Sequence, residues 1–389
     1  MYWLFALGIF KGWLPTLDMI LGFFDADGSF QARTYIKTTG LPSFYLSLDF
    51  TQKGSNSDVL EGILRFFGES YEVSRRQMIS DEGIAFEGSR IGIGFKSAAG
   101  VKIFKTWKEN PPLAPTKYYD YRITLILSQA MQTNILNTVN KNLPLGQSCD
   151  DIKVAGIALV WLREQMYGAK QYKERRIPIQ NLYAQMGVTS KQIFLGEKLG
   201  KQLLNPIQTE LDTIKKDPSL LIPRITNDRL LGYHIGDGSF YMSLTLKPGL
   251  FQAMTFKSRF FWSATDCSAN RPLLLAIKAK LENEPGIKNL SKTEYGTYLK
   301  IVMSSNSSVT AFMKRWEGKF LPRTRQNQYN TMQKALKIYN TDVYQTDLEQ
   351  AKELIRCKWD INPDSPQKKK GSLETDLEKI VVWFNSKKR

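Results

Sequence analysis

Two aspartates, Asp27 and Asp237, stand in the same slot of one phrase that occurs twice in the chain. The first copy reads Leu21-Gly22-Phe23-Phe24-Asp25-Ala26-Asp27-Gly28-Ser29-Phe30. The second reads Leu231-Gly232-Tyr233-His234-Ile235-Gly236-Asp237-Gly238-Ser239-Phe240. Leu-Gly-aromatic, then Asp-Gly-Ser-Phe, recurs in register, and each copy keeps one carboxylate. Such a repeat predicts two similar halves facing each other across a pseudo-two-fold axis, each giving one acid to a shared site. Asp before Gly also terminates helices in turns, and a single copy would read that way.

The remaining inventory narrows the chemistry. His234 is the one histidine, which excludes a His-rich metal centre and a His-based catalytic pair; it is expected to pack at the motif interface. Cys149, Cys267 and Cys357 stand far apart, giving neither a zinc site nor a disulfide framework, so a reducing compartment is the default. Any metal must then be bound by oxygen, which points to Mg²⁺ or a similar hard cation. Against 37 Asp+Glu the chain carries 54 Lys+Arg, a net charge of +17, which predicts attraction to a polyanion, above all nucleic acid. Gly92-Ile93-Gly94 sits in a strand pattern without a following helix or third glycine, so it is not a nucleotide loop. The apolar opening, Met1 to Phe10, is too short to span a bilayer and reads as a packed or leftover N-terminal arm.

The elements that must position the acids follow from the periodicity. Thr16 is a candidate N-cap, with Leu17, Ile20, Leu21 and Phe24 at helical spacing. Gly28 closes that helix at a position where a positive φ is expected. In the second copy Thr226 or Asn227 caps, Leu230, Leu231 and His234 follow, and Gly238 closes. After each glycine the period drops to two. Ser29, Gln31, Arg33, Tyr35 and Lys37 alternate with Phe30, Ala32, Thr34 and Ile36. Ser239, Tyr241, Ser243, Thr245 and Lys247 alternate with Phe240, Met242, Leu244 and Leu246.

A second strand in each half interleaves Phe44, Leu46, Leu48 and Phe50 with Tyr45, Ser47, Asp49 and Thr51, and Met254, Phe256 and Phe260 with Thr255, Lys257 and Arg259. These are sheets with one oily and one wet face. Helices are predicted over 59–67 and 272–281. Strands are predicted over 71–77, 83–95, 287–292 and 297–303, and later helices over 121–139, 150–166, 328–339 and 347–356. The 389 residues divide into a first half (14–168), a charged connector (169–222), a second half (223–357) and a basic tail (358–389). That is enough for two domains of about 100–200 residues each. The tail carries Lys368-Lys369-Lys370 and ends on Lys387-Lys388-Arg389.

The doubled phrase resembles the signature of the LAGLIDADG homing endonucleases, with Ile20 to Gly28 and Leu230 to Gly238 in the nine motif positions. Two copies in one chain resemble the single-chain, pseudo-symmetric members. The resemblance implies an α+β fold: two αββαββα repeats forming a pseudo-two-fold saddle of antiparallel sheets, with the motif helices packed at its centre. Close packing would use the small residues Gly22, Ala26, Gly232 and Gly236. Asp27 and Asp237 would be catalytic and would hold two or more divalent cations, Mg²⁺, beside the scissile phosphates.

Gln52, in Thr51-Gln52-Lys53, resembles the family's Gln-bearing turn, and its equivalent in the other half lies near Thr265. Lys117 and Arg325 follow their aspartates at nearly equal intervals, in Leu113…Lys117 and Leu321…Arg325, and are further active-site candidates. The chain departs from the motif where Ile235 replaces the counterpart of Asp25, a change expected to be structural only. It departs again where Leu21 and Leu231 replace a small residue.

The function implied is a site-specific endonuclease, intron-encoded and monomeric, that cuts both strands of a long double-stranded DNA target. Ser29, Gln31, Arg33, Tyr35, Lys37, Ser239, Tyr241, Ser243, Lys247, Lys257 and Arg259 would face that DNA, and no membrane is involved. Two alternatives stay open. One is an RNA maturase that assists group I intron splicing, with intron RNA as partner. The other is a catalytically degenerate DNA-binding protein. The family's usual home implies a mitochondrion or chloroplast.

Overall fold

The two halves follow one plan because each motif glycine switches the chain from a helical period to a strand period. The computed structural model describes residues 13–70, 72–79, 85–144, 148–167, 177–246, 254–264, 267–288, 290–295, 298–361 and 372–386. The first lobe runs α1 (Leu17–Asp27), β1 (Gly28–Ile36), β2 (Pro42–Lys53), α2 (Ser57–Phe67), β3 (Ser74–Ile79), β4 (Ala85–Gly94), α3 (Ala98–Glu109), α4 (Pro115–Gln132), α5 (Ile135–Asn142) and α6 (Ile152–Glu164). The connector contributes α7 (Ile179–Met186) and α8 (Ser190–Lys216). The second lobe runs α9 (Asn227–Asp237), β5 (Gly238–Leu246), β6 (Met254–Ala264), α10 (Cys267–Glu282), β7 (Leu290–Tyr295), β8 (Tyr298–Met303), α11 (Asn306–Met313), α12 (Arg323–Asn340) and α13 (Leu348–Asp360), and α14 (Leu373–Ser386) follows. Both sheets are antiparallel and share one strand order, β1-β2-β4-β3 and β5-β6-β8-β7.

Burial along β1 alternates as predicted, with Phe30 and Ala32 inside and Arg33 and Tyr35 outside. β2 departs from the pattern. Ser47 and Asp49, expected on the wet face, are buried, because β2 lies between β1 and β4. Asp49 tolerates that burial through an ion pair with Arg90 on β4.

The helix expected over 121–139 is two helices. α4 starts earlier, at Pro115, whose missing N–H costs nothing in a first turn. The chain then breaks at Thr133, and the Asn134 side chain caps α5 by accepting from the Asn137 N–H (2.7 Å). Two further helices, α3 and α11, fall where no helix was predicted. The tail likewise holds α14, which packs on α13 and buries Ile380, Trp383 and Phe384. The basic runs of the tail and the arm from Met1 to Phe10 lie outside the described residues. Among the described residues no helix is long and apolar enough to cross a membrane.

The motif glycines correct a second expectation. Gly28 has φ −81° and Gly238 φ −87°, so neither adopts a left-handed conformation. Both are required by close approach. A Cβ on Gly28 would lie 2.2 Å from the Phe24 ring, and one on Gly238 would lie 1.7 Å from His234 Nδ1. Phe24 and His234 occupy equivalent slots in the two cores. Phe24 packs on Phe30 and Trp107 at centroid distances of 4.9 and 4.9 Å. His234 packs on Phe240 and Trp316 at 5.3 and 4.7 Å. His234 is therefore a core residue of its own lobe, not a contact between the motif helices. Burial first, and then the Arg325 charge, hold it well below the usual histidine range and so neutral.

Candidate active site at the lobe interface

A threonine starts each motif helix, and each reaches across to the other helix. Thr16 Oγ1 accepts from the Met19 N–H (3.2 Å) and donates to Asp228 Oδ2 (2.9 Å). Thr226 Oγ1 accepts from the Arg229 N–H (3.0 Å) and donates to Asp18 Oδ2 (2.9 Å). One hydroxyl thus caps its own helix and ties it to the acidic first turn of its partner. Below the caps the backbones meet directly. A Cβ on Gly22 would sit 1.9 Å from Arg229 O, and one on Gly232 would sit 1.9 Å from Met19 O. Ala26 and Gly236 continue the seam, with only 2.5 Å between the Ala26 Cβ and a Cβ built on Gly236. Leu21 and Leu231, which replace a small residue of the motif, are fully buried.

This seam brings Asp27 and Asp237 together at the C-terminal ends of α1 and α9, where both are partly exposed. Gln52 Nε2 donates to Asp27 Oδ2, and Gln52 Oε1 accepts from Asn56 Nδ2 (3.2 Å), which fixes the amide. Asp237 accepts from the Tyr233 hydroxyl one helical turn earlier. Two cations complete the site. Lys117 Nζ donates to Gly28 O at the end of α1. Arg325 donates through Nε and Nη2 to Ile235 O (3.2 and 2.9 Å) and through Nη2 to Gly236 O (3.4 Å), at the end of α9. Helix C-termini carry partial negative charge, so both cations sit where two helix dipoles and two carboxylates attract them. Arg325 Nη1 also donates to Gln328 Oε1 (2.9 Å).

Asp27, Asp237, Gln52, Lys117 and Arg325, chosen from the sequence, therefore converge on one place. Tyr233 was missed. Its signal was its spacing of four residues before Asp237, at the slot Phe23 fills in the first copy. Thr265 lies outside the described residues.

Burial pushes the Asp27 carboxyl up to about 8, with the charge of Asp237 adding to it; Lys117, Arg325 and the Gln52 hydrogen bond oppose. Burial likewise pushes Asp237 up to about 6, against Lys117, Tyr233 and Arg325. Lys117 is lowered by burial and Arg325 is lowered to about 10 by burial, both partly restored by the acids. Two carboxylates that repel each other in a partly desolvated floor are a site that an added cation would relieve. Among the described residues no cluster of three or more His, Cys, Asp or Glu side chains offers a metal site. Two acids alone leave most of a coordination sphere to water and substrate oxygens, which is how Mg²⁺ is commonly held. The residues present fit such a cation.

A pH-dependent stability follows from these shifts. Well below about pH 4, the ordinary aspartate range, both acids are protonated in folded and unfolded chains alike, and they contribute no difference. As pH rises toward 8 the unfolded chain releases these protons first, so the metal-free protein loses stability across that window. Asp27→Asn should remove much of this loss, making the variant more stable than wild type at pH 8 by about 2 kcal/mol once partial exposure is allowed for, and little different at pH 4.5. Thermal unfolding of both proteins at the two pH values, with and without Mg²⁺, measures it; parallel pH dependence would refute the assignment.

Asp25 and Arg229 form the buried asymmetric feature of the interface. Asp25 Oδ2 accepts from Arg229 Nε and Nη2 (3.0 and 2.9 Å), and Oδ1 accepts from the backbone N–H groups of Leu113 (2.7 Å) and Ala114 (3.1 Å). Ile235 supplies no such group in the second lobe. The carboxylate of Asp25 is thus fully engaged in structure, as its replacement in the second copy led us to expect.

The candidate nucleic-acid face extends outward from the acids along the strands. Ser29 and Gln31 lie nearest Asp27 in sequence and are partly exposed, with Gln31 Nε2 donating to Ser29 Oγ (3.2 Å). Arg33, Tyr35 and Lys37 follow and are exposed. In the other lobe Ser239, Tyr241 and Ser243 are partly exposed. Lys257 pairs in register with Ser243 and Arg259 with Tyr241, though their side chains, like the whole of Lys247, lie outside the described residues.

Residues 20–126 match the model of the LAGLIDADG endonuclease family. No curated protein matches the chain. Among solved structures the chain is similar to I-SmaMI bound to uncleaved DNA target in the presence of calcium ions, at 15% identity and a TM-score of 0.57, covering 89% of this chain and 99% of that one. It is similar also to the LAGLIDADG homing endonuclease I-GzeII in complex with DNA target (12%, TM-score 0.54, 89% and 97%) and to I-LtrWI bound to target DNA (11%, TM-score 0.54, 88% and 96%). At such identities the likeness speaks for the fold. The first lobe thus carries the LAGLIDADG endonuclease signature, and the chain as a whole has the fold of the single-chain LAGLIDADG homing endonucleases.

Proposed function

We propose that this protein is a site-specific, metal-dependent DNA endonuclease of the homing type, acting as a monomer on both strands of a duplex. The observation that carries the reading is the meeting of Asp27 and Asp237, one from each lobe, between Lys117 and Arg325. Bound Mg²⁺ would supply charge neutralisation at the phosphate and an activated water. The chain's own residues do the positioning. Gln52 orients the Asp27 carboxylate, and Tyr233 orients Asp237. Lys117 and Arg325 place positive charge beside the acids, where the electron density of a phosphodiester in transit accumulates. His234, buried between Phe240 and Trp316, has no access to substrate and takes no part in proton transfer. The wet strand faces supply hydrogen-bonding and cationic groups for base edges and phosphates.

The test is incubation of the purified protein and Mg²⁺ with fragmented genomic DNA of its source, followed by sequencing of new ends. The expected result is one recurrent duplex cut on both strands, and no cutting once the metal is chelated. A duplex that is bound but stays intact would make the protein a degenerate DNA binder. Faster splicing of a host intron with no DNA cut would make it a maturase.

A further inference from the structure

The first turn of α4, which carries Lys117, is held from the opposite lobe. Thr116 donates to Asn270 Oδ1 through its backbone N–H (3.3 Å) and its hydroxyl (3.0 Å), and Asn270 lies on α10 of the second lobe. Just upstream, Leu113 and Ala114 donate to Asp25, and Asp25 is gripped by Arg229 from the first turn of α9. Arg229 is fully buried and also donates to Asn110 O (3.3 Å) and Pro111 O (3.0 Å). The loop before α4 and the orphan N–H groups at its start thus find their acceptors through residues tied to the second lobe.

The reverse connection exists in simpler form. Arg323, in the first turn of the helix carrying Arg325, donates its N–H to Asp58 Oδ2 of α2 (2.6 Å). No buried ion pair repeats there, because Ile235 stands in place of Asp25. Replacing a buried ion pair by apolar packing is often neutral or stabilising, so net stability is a weak reason for its presence. What the pair does supply is one fixed arrangement of the 110–114 loop and hence of the turn that aims Lys117.

Building on the endonuclease reading, we propose that Arg229, with Asp25 and Asn270, is an interlobe latch that positions the Lys117 ammonium beside the paired acids. Arg229 and Asn270 are positioning residues: neither reaches the carboxyls, and both act through the first turn of α4.

The experiment compares wild type with Arg229→Met and with Asn270→Ala, a partly exposed site where folding is not at stake. Lysine reactivity toward acetic anhydride is read residue by residue by mass spectrometry in the DNA-free protein. Single-turnover cleavage and affinity are measured on the duplex recovered above. The latch predicts that Lys117 alone becomes severalfold more reactive, while Lys278 on α10 and Lys334 on α12, which pair with Glu282 and Glu353, stay unchanged. Cleavage should slow about 100-fold for a misplacement near 1 Å, with affinity retained. Unchanged Lys117 reactivity in Asn270→Ala and in whatever Arg229→Met protein folds would overturn the latch. So would a rise at every lysine, which reports general loosening. A wild-type protein that cuts nothing, while the Lys117 effect appears, would overturn the endonuclease reading and leave the latch standing.

Discussion

Asp27→Asn and Asp237→Asn should each lower double-strand cleavage by about 10²–10³-fold, the order seen when one electrostatic element of a preorganised site is removed, while DNA affinity is kept or rises. The two acids form one floor: each raises or feels the other's titration, and both face the same two cations. An amide keeps the shape of the side chain and its bond to Gln52 or Tyr233 but cannot neutralise a divalent cation. Removing a negative charge beside a phosphate should not weaken binding, so a loss of affinity would point to misfolding. The stability gain expected for Asp27→Asn at pH 8 provides an internal control on that point. The measurement is single-turnover cleavage of each end-labelled strand with binding followed in parallel. Full double-strand cleavage by both variants would remove the acids from the mechanism, whatever the fold.

What the sequence disclosed is what the repeat made visible twice. Asp27 and Asp237, the threonine caps and the glycine seam are local, and each copy corroborates the other. Lys117 and Arg325 are far from the motif, yet their matching intervals identified them because the two lobes share one chain path. Gln52 came from resemblance alone, and the structure places it on Asp27.

Features without a counterpart stayed hidden. The grip of Arg229 on Asp25 joins residues more than two hundred positions apart, and Ile235 breaks the symmetry that would have announced it. Asn270 and Asp58 cap helices across the lobe boundary, and nothing in their local sequence points outward. Local expectations failed where tertiary context decided the outcome. Asp49 is buried because its strand is central, and the motif glycines serve close approach and not a left-handed turn.

The glycine seam gives the second large effect. Gly22→Ala or Gly232→Ala would place a methyl 1.9 Å from a backbone carbonyl oxygen of the opposing helix. Rotamer changes cannot relieve a clash with main chain, so the helices must part by roughly 1.5 Å to reach ordinary van der Waals distance. That separation strains the Thr16–Asp228 and Thr226–Asp18 ties and the Arg229–Asp25 pair together. We expect a loss of about 3–5 kcal/mol for either substitution, above the usual cost of overpacking. Gly68→Ala is the contrast: its Cβ meets nothing within 4 Å, so only its φ of 69° is strained, at about 1 kcal/mol.

Because each methyl meets the helix that the other substitution also displaces, the double variant should cost clearly less than the sum of the two. Denaturant unfolding of the four proteins in the cycle measures the coupling. The same parting draws Asp27 and Asp237 away from each other, so cleavage should fall even where the variants remain folded. Strict additivity, with cleavage intact, would mean that the two glycines do not share a seam and that the acids are set by something else.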